Sequence, residues 1–489
     1  MSLKQKAFAG LIWSVVQNSG TQVFSLIVFL LLARLLTPET FGLIALANVF
    51  LSFMQIFLDQ GFAKALIQRE ELEPEHLDAA FWSQVGFGLL LTAITISGAG
   101  LVAGIFQQPK LILILRYLSS IFIINSFCRV HDALLSRKFA FKTIALRSLS
   151  GAVISGVVGV SMAFAGYGVW SLVTLNIAAE LFSLLFTWNA VEWRPRWQFS
   201  VRHFRDLYSF GIYLLGYKFV KVFDKRFVNL LIGYFLGEVA LGYYAIAYRI
   251  LEMMTQLLVK TVGRVALPTF SRLQTEPEKF RQLFYKTTQF TSLIAFPTYF
   301  GAIVFAPELI VTLFGQQWIP ATIAMQILAL EGIVLTLALF HRSVFVSMGK
   351  PNWNFKIILF NTTVNLFACL VSVRWGINAV ATAYVISSYL VFPVSQWAVN
   401  RLIKVETTAY AKTFLTPLLS SGIMVLTILT IKHFSAASID PKLLIIGGTA
   451  IGGLVYALAI KIIEPLLFGQ FWNFIKSVKS HRQIAKKSI

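Results

Sequence analysis

The chain has 489 residues, of which 57% are hydrophobic and only 13% charged, with a mean hydropathy of +0.74. That balance excludes a soluble enzyme or a disordered chain and describes a polytopic helical membrane protein. The formal net charge is +21, but the basic residues sit between apolar runs rather than in one patch, so no nucleic-acid partner is expected.

Apolar runs of spanning length fall at 8–33, 41–66, 80–106, 111–135, 142–165, 168–190 and 206–233 in the first half. They continue at 237–262, 285–305, 318–346, 353–374, 377–400, 411–431 and 443–463. The expected fold is therefore all-α, with about fourteen transmembrane helices and short connections. The runs are too long and continuous for barrel strands. The first run follows Lys4 and Lys6 and is too long for a signal-peptide core, so it reads as a retained span.

Arg137, Lys138, Arg194, Arg196, Arg272, Arg281, Lys350, Arg401 and the basic tail all fall on one side of the alternating runs. The other side holds only Arg34, Lys110, Arg374, Lys432 and Lys442. This asymmetry places both termini in the cytoplasm. The 263–286 loop, punctuated by Pro268 and Pro277, is then cytoplasmic, and the tail after Ile463 lies on the inner leaflet.

Two stretches match at an offset of 200 residues. ARLLTPETFGLIALANVF from Ala33 aligns with GYFLGEVALGYYAIAYRI from Gly233, so that Gly42 meets Gly242. GYGVWSLVTLN from Gly166 lies near WGINAVATAYVIS from Trp375. The reading is a duplication: six-helix lobes at 1–200 and 201–405, with 406–489 supplying two further helices and a basic tail. Parallel repeats of this kind are a transporter arrangement, with the binding site between the halves.

The seventh run carries the most unusual chemistry. It contains Lys218, Lys221, Asp224, Lys225 and Arg226. A charge at the bilayer centre costs about 2.5–3.5 kcal/mol even on the lenient scale. At 100° per residue, Lys218, Lys221, Lys225 and Asn229 share one stripe. This suits the wall of a polar cavity that receives an anion. The alternative is structural pairing through Asp224, although one carboxylate cannot neutralise four cations.

The repeat maps the three lysines onto Asn18, Thr21 and Ser25. Asn48, Ser52, Gln55 and Asp59 form a second polar stripe, and Arg249, Glu252, Gln256 and Lys260 a third. A shared cavity and interhelical hydrogen bonding both account for the neutral members. Asp59, Asp224, Glu252 and the lone Glu331 are the candidate coupling carboxyls. Arg129 with Asp132 reads as an i, i+3 pair, His341 and Arg342 as headgroup contacts, and Arg116 and Lys461 as snorkelling cations. Cys128 and Cys369 lie inside apolar runs and form no disulfide framework. No phosphate loop, no metal-ligand spacing and no cofactor motif is present, so no cofactor or metal is expected. The outer loops are too small to carry paired catalytic carboxylates.

RLLTPETFGLIALANVF with FLDQGFAKALIQRE, DKRFVNLLIGYFLGEVALGYYAIAYRI with ALPTFSRLQ, and MGKPNWNFK together resemble the Wzx-type polysaccharide flippases. These belong to a superfamily shared with the MATE exporters and the MurJ flippases. The resemblance covers nearly the whole chain. It implies two six-helix lobes around a cavity, in the cytoplasmic membrane. It implies alternating-access transfer of an undecaprenyl-diphosphate-linked oligosaccharide, with no enzymatic step. Its implied partners are membrane lipids, a polysaccharide polymerase and glycosyltransferases. A MATE-like exporter of small molecules is the alternative, but a cation exporter calls for acidic cavity residues.

Overall fold

The computed structural model describes residues 3–58, 61–69, 71–256, 258, 261–435 and 440–473. Among these residues there is no strand. The first helices are α1 (Leu3–Leu35), α2 (Pro38–Leu58), α3 (Phe62–Gln68), α4 (Pro74–Ile105) and α5 (Lys110–Leu118). They are followed by α6 (Ser120–Arg137), α7 (Phe141–Phe164), α8 (Val169–Ala190) and α9 (Val201–Thr255). Then come α10 (Thr261–Arg272), α11 (Pro277–Val304), α12 (Ala306–Leu313), α13 (Thr322–Leu337) and α14 (His341–Ser347). The series ends with α15 (Pro351–Ser372), α16 (Ile377–Ile403), α17 (Thr407–Ser435) and α18 (Pro441–Ile463). The chain forms two compact units, Met1–Ala245 and Ile246–Ile489.

Twelve helical segments among the described residues are long and apolar enough to cross a membrane, or thirteen with the bent pair Pro277–Val304 and Ala306–Leu313. The sequence reading expected about fourteen. The difference lies in α9, where the runs expected at 206–233 and 237–262 are two helices joined through a kink at Gly237 and counted as one segment. Its spanning part, Lys218–Thr255, has 38 residues. The element turns at Gly237, whose φ of 81° and ψ of 178° favour glycine. Among the described residues five helices begin with proline (Pro38, Pro74, Pro277, Pro351 and Pro441), where the missing N–H removes no helical bond.

In the first unit α7 packs between α1 and α8, and α4 packs on α5 and α6. Phe62, Phe81, Val130 and Leu134 form a core where α3, α4 and α6 meet, covered by Trp188 and Trp193. The segment leading into α9 is tied to the start of α4. Trp82 Nε1 donates to the Arg196 carbonyl at 2.6 Å, and the Arg196 N–H donates to Asp78 Oδ1 at 2.9 Å. Trp82 and Trp197 stack with centroids 4.3 Å apart. Before α4, the hydrogen bond from His203 holds the exposed Glu73 carboxyl below its usual range.

Two glycines bring α2 against the residues after Gly237. A Cβ on Gly42 would lie 1.7 Å from the Glu238 carbonyl oxygen, and one on Gly242 would lie 2.0 Å from the Pro38 carbonyl oxygen. The contact is reciprocal: Pro38 and Glu238, like Gly42 and Gly242, are separated by the 200 residues of the sequence repeat.

In the second unit α11 packs on α13 and α17. The core there contains Phe270, Phe280, Phe284, Phe340 and Tyr410. Met424, Ile428, Tyr456 and Ile460, from the last two helices, join Leu293 and Phe305 in a further cluster. His341 was expected at the headgroups, but it is 3% exposed. Its Nδ1 lies 2.7 Å from Ser395 Oγ and its Nε2 2.9 Å from Gln396 Oε1. Two polar groups on α16 reach it there, so burial carries no unsatisfied nitrogen.

Candidate functional site

The lysine stripe lies on the spanning part of α9. Lys218, Asp224, Arg226 and Asn229 are half-buried and Lys225 is exposed, while the Lys221 side chain lies outside the described residues. The opposite face of the helix is aromatic. Phe219 and Phe223 stand 5.7 and 6.5 Å from Phe53 of α2, and Phe223 stands 5.1 Å from Phe227. At 100° per residue the centre of this aromatic face is about 150° from the lysine stripe. Packing on α2 thus occupies the apolar face and leaves the cationic stripe on the far side from it.

Several neutral polar residues of α1 and α2 bond to the backbone of their own helix. Asn18 Nδ2 donates to the Ser14 carbonyl at 2.6 Å, Thr21 Oγ1 to the Gln17 carbonyl at 2.6 Å, and Ser52 Oγ to the Asn48 carbonyl at 2.5 Å. These bonds fold back on their own helices, the cheapest satisfaction in an apolar surrounding. Gln17 bonds to a neighbouring helix, from Nε2 to Ser148 Oγ on α7 at 2.9 Å. Ser25 is exposed and Gln55 half-buried. Asp59 and Lys260 lie outside the described residues.

Charge in the first unit concentrates where the sequence reading did not place a site. Asp132 of α6 is bridged by Arg147 Nη1 of α7, not by Arg129 as expected. Glu180 of α8 joins the same group, hydrogen-bonded to Asn125 and within electrostatic reach of Arg129, Arg147 and Asp132. The buried Arg129 Nε has no hydrogen-bond partner among the described residues. Two cations and two carboxylates thus gather between α6, α7 and α8. An i, i+3 count could not find this pairing, because its partners lie on different helices.

In the second unit Arg249 Nη1 lies 3.1 Å from Glu252 Oε2, so two members of the third polar stripe pair one turn apart. Gln256 on the same stripe is half-buried. Glu331 is 2% exposed on α13. Tyr299 and Tyr389 lie close to it. The Tyr299 hydroxyl stands 3.1 Å from Thr255 Oγ1. Gly332 allows the Tyr299 ring to lie against α13, since a Cβ there would sit 2.1 Å from Tyr299 Cε1.

The chain resembles curated proteins along most of its length. It is 26% identical over 446 residues to the teichuronic acid biosynthesis protein TuaB of Bacillus subtilis, covering 89% of this chain and 91% of that one. It is 25% identical over 477 residues to the succinoglycan biosynthesis transport protein ExoT of Rhizobium meliloti, covering 96% and 95%. Its fold matches a lipid II flippase MurJ in an inward closed conformation, with a TM-score of 0.76, 15% identity, and coverage of 94% of this chain and 99% of that one. The profile described as "Polysaccharide biosynthesis protein" matches residues 31–323, and the chain belongs to that family.

Proposed function

We propose that this protein moves polyprenyl-diphosphate-linked oligosaccharide units from the inner to the outer leaflet of the cytoplasmic membrane by alternating access. It does so as a transporter rather than an enzyme, with six-helix lobes at 1–200 and 201–405 and two further helices at 406–489. The observation that carries this is the half-buried and exposed lysine pair, Lys218 and Lys225, on a membrane-spanning helix inside the family match. A diphosphate is the anion that rewards several cations placed in a span at a cost of about 2.5–3.5 kcal/mol each. The relatives named for teichuronic acid and succinoglycan biosynthesis support a saccharide cargo. A small-molecule cation exporter is disfavoured by the sign of the stripe.

Lys218, Lys221, Lys225 and Asn229 are proposed to bind the diphosphate, with Arg249, Asn18, Thr21, Ser25 and Gln55 as further wall residues. Asp59, Asp224, Glu252 and Glu331 are the proposed coupling groups. The engagement of Arg249 with Glu252 makes those two a charge pair that transport would have to loosen.

Complementation of a flippase-deleted strain, scored by surface polysaccharide at matched protein level, tests the site. Lys218→Arg keeps much of the activity, allowing for guanidinium geometry. Lys218→Ala loses most of it while the protein still inserts, because removing a cation lowers the insertion cost. Lys218→Glu is worst, since it sets a carboxylate against phosphates. Lys221→Ala stays inactive when Asp224→Ala is added. Full rescue by that double change would make Lys221 half of a structural ion pair and remove it from the site.

A further inference from the structure

Three side chains far apart in sequence meet at the end of the first unit where α4 and α9 begin. Glu73 immediately precedes α4, His76 lies in its first turn, and His203 lies in the first turn of α9. Each offers a ligand atom, and these atoms lie within 4.8 Å of one another. His203 Nε2 is 2.9 Å from Glu73 Oε2. The two imidazoles meet edge to face with centroids 4.4 Å apart.

The second observation is the condition of His76. The residue is 2% exposed, and among the described residues neither ring nitrogen has a hydrogen-bond partner. A neutral imidazole carries one donor and one acceptor. A buried polar group left unsatisfied costs about 1–3 kcal/mol. A cation on one nitrogen supplies the acceptor with the partner that the protein does not.

We propose that Glu73, His76 and His203 bind a divalent transition metal, best matched by Zn²⁺, that pins the start of α9 to the start of α4. Two imidazole nitrogens and one carboxylate oxygen suit Zn²⁺ better than Mg²⁺ or Ca²⁺, which take all-oxygen shells. Tetrahedral Zn²⁺ with bonds of about 2.0–2.1 Å sets its ligands about 3.3 Å apart. The ligand atoms already lie within 4.8 Å, so small side-chain rotations bring them to that spacing. Water takes the fourth position. His203 Nδ1 lies 2.6 Å from Ser200 Oγ, a contact that orients the ring and directs Nε2 at the site. The metal joins two anchors already on this segment, the Trp82–Trp197 stack and the Asp78–Arg196 hydrogen bond. A simple His203–Glu73 hydrogen bond would leave His76 unused and give no metal affinity.

The test uses the full-length protein, purified without a polyhistidine tag, stripped with chelator and held in detergent. It is titrated with Co²⁺ as a spectroscopic stand-in for Zn²⁺. One equivalent binds, with the visible bands of a four-coordinate ion, and Zn²⁺ displaces it. His76→Ala and His203→Ala abolish the bands. Glu73→Gln weakens binding at least about tenfold. Glu73 is exposed, so that variant keeps its fold and reports on ligation even where a buried His76 variant does not fold. Failure of the wild-type protein to bind one equivalent, or unchanged affinity in Glu73→Gln and both histidine variants, overturns the proposal.

Discussion

Asp132 pairs across helices with Arg147, whereas Arg129, one turn back on its own helix, belongs to the same cluster through Glu180. Charges inside a span are tolerable when they compensate one another, and removing one member leaves the others exposed to a low dielectric. The side chains of Arg147 and Asp132 are 15% and 34% exposed. The cost of breaking the pair therefore falls between the surface and buried limits, at about 1–3 kcal/mol. Arg147→Met is expected to lower the midpoint of heat-induced aggregation, followed by size-exclusion chromatography, and adding Asp132→Asn should recover part of the loss. An unchanged midpoint in Arg147→Met would show that the pair does not hold α6 to α7. The charges themselves were legible in the sequence, since any ionisable residue in an apolar run stands out. Their partners were not, because helical spacing reports neighbours on one helix and says nothing about the helix alongside. His341 was misplaced for the same reason: Ser395 and Gln396, which hold it, lie on another helix.

The reciprocal glycine contact belongs to the scale of whole elements. Gly42 and Gly242 each admit a backbone carbonyl of the facing segment, so any side chain forces backbone rather than a flexible side chain to move. Such overpacking typically costs about 1–3 kcal/mol. Gly42→Ala and Gly242→Ala should each lower the thermal midpoint by several degrees. Gly98→Ala, where a Cβ would meet nothing within 4 Å, should leave it unchanged or slightly raised. Equal midpoints for the three variants would remove the close approach as a stabilising feature. The alignment of Gly42 with Gly242 was visible in the sequence, but the repeat alone did not say that the two copies of the motif touch each other. The break at Gly237, by contrast, falls where the apolar pattern divides the runs 206–233 and 237–262.

For the whole molecule, orientation carries the most direct test. Gln107 and Gln274 are both exposed. A cysteine at Gln274 should react with an impermeant maleimide only after permeabilisation, and one at Gln107 should react in intact cells. Labelling of Gln274 from outside would reverse the assigned topology. Net transport should also need an ion gradient or a membrane potential, because moving one charge through 100 mV supplies about 2.3 kcal/mol and the proposed cargo is anionic. An undiminished net rate in vesicles without any gradient would remove Asp59, Asp224, Glu252 and Glu331 as coupling groups. The sequence by itself determined that this is an all-helical membrane protein with a polysaccharide-flippase pattern. Runs of about 20 apolar residues have no other low-energy solution in lipid, where every backbone group must be bonded internally. Only the tertiary structure decided which polar groups satisfy one another. It placed Glu73 and His76 beside His203, Asp132 beside Arg147, and Phe53 on the aromatic face of α9. Those meetings depend on how helices pack against one another, and side-chain periodicity along a single helix carries no record of that packing.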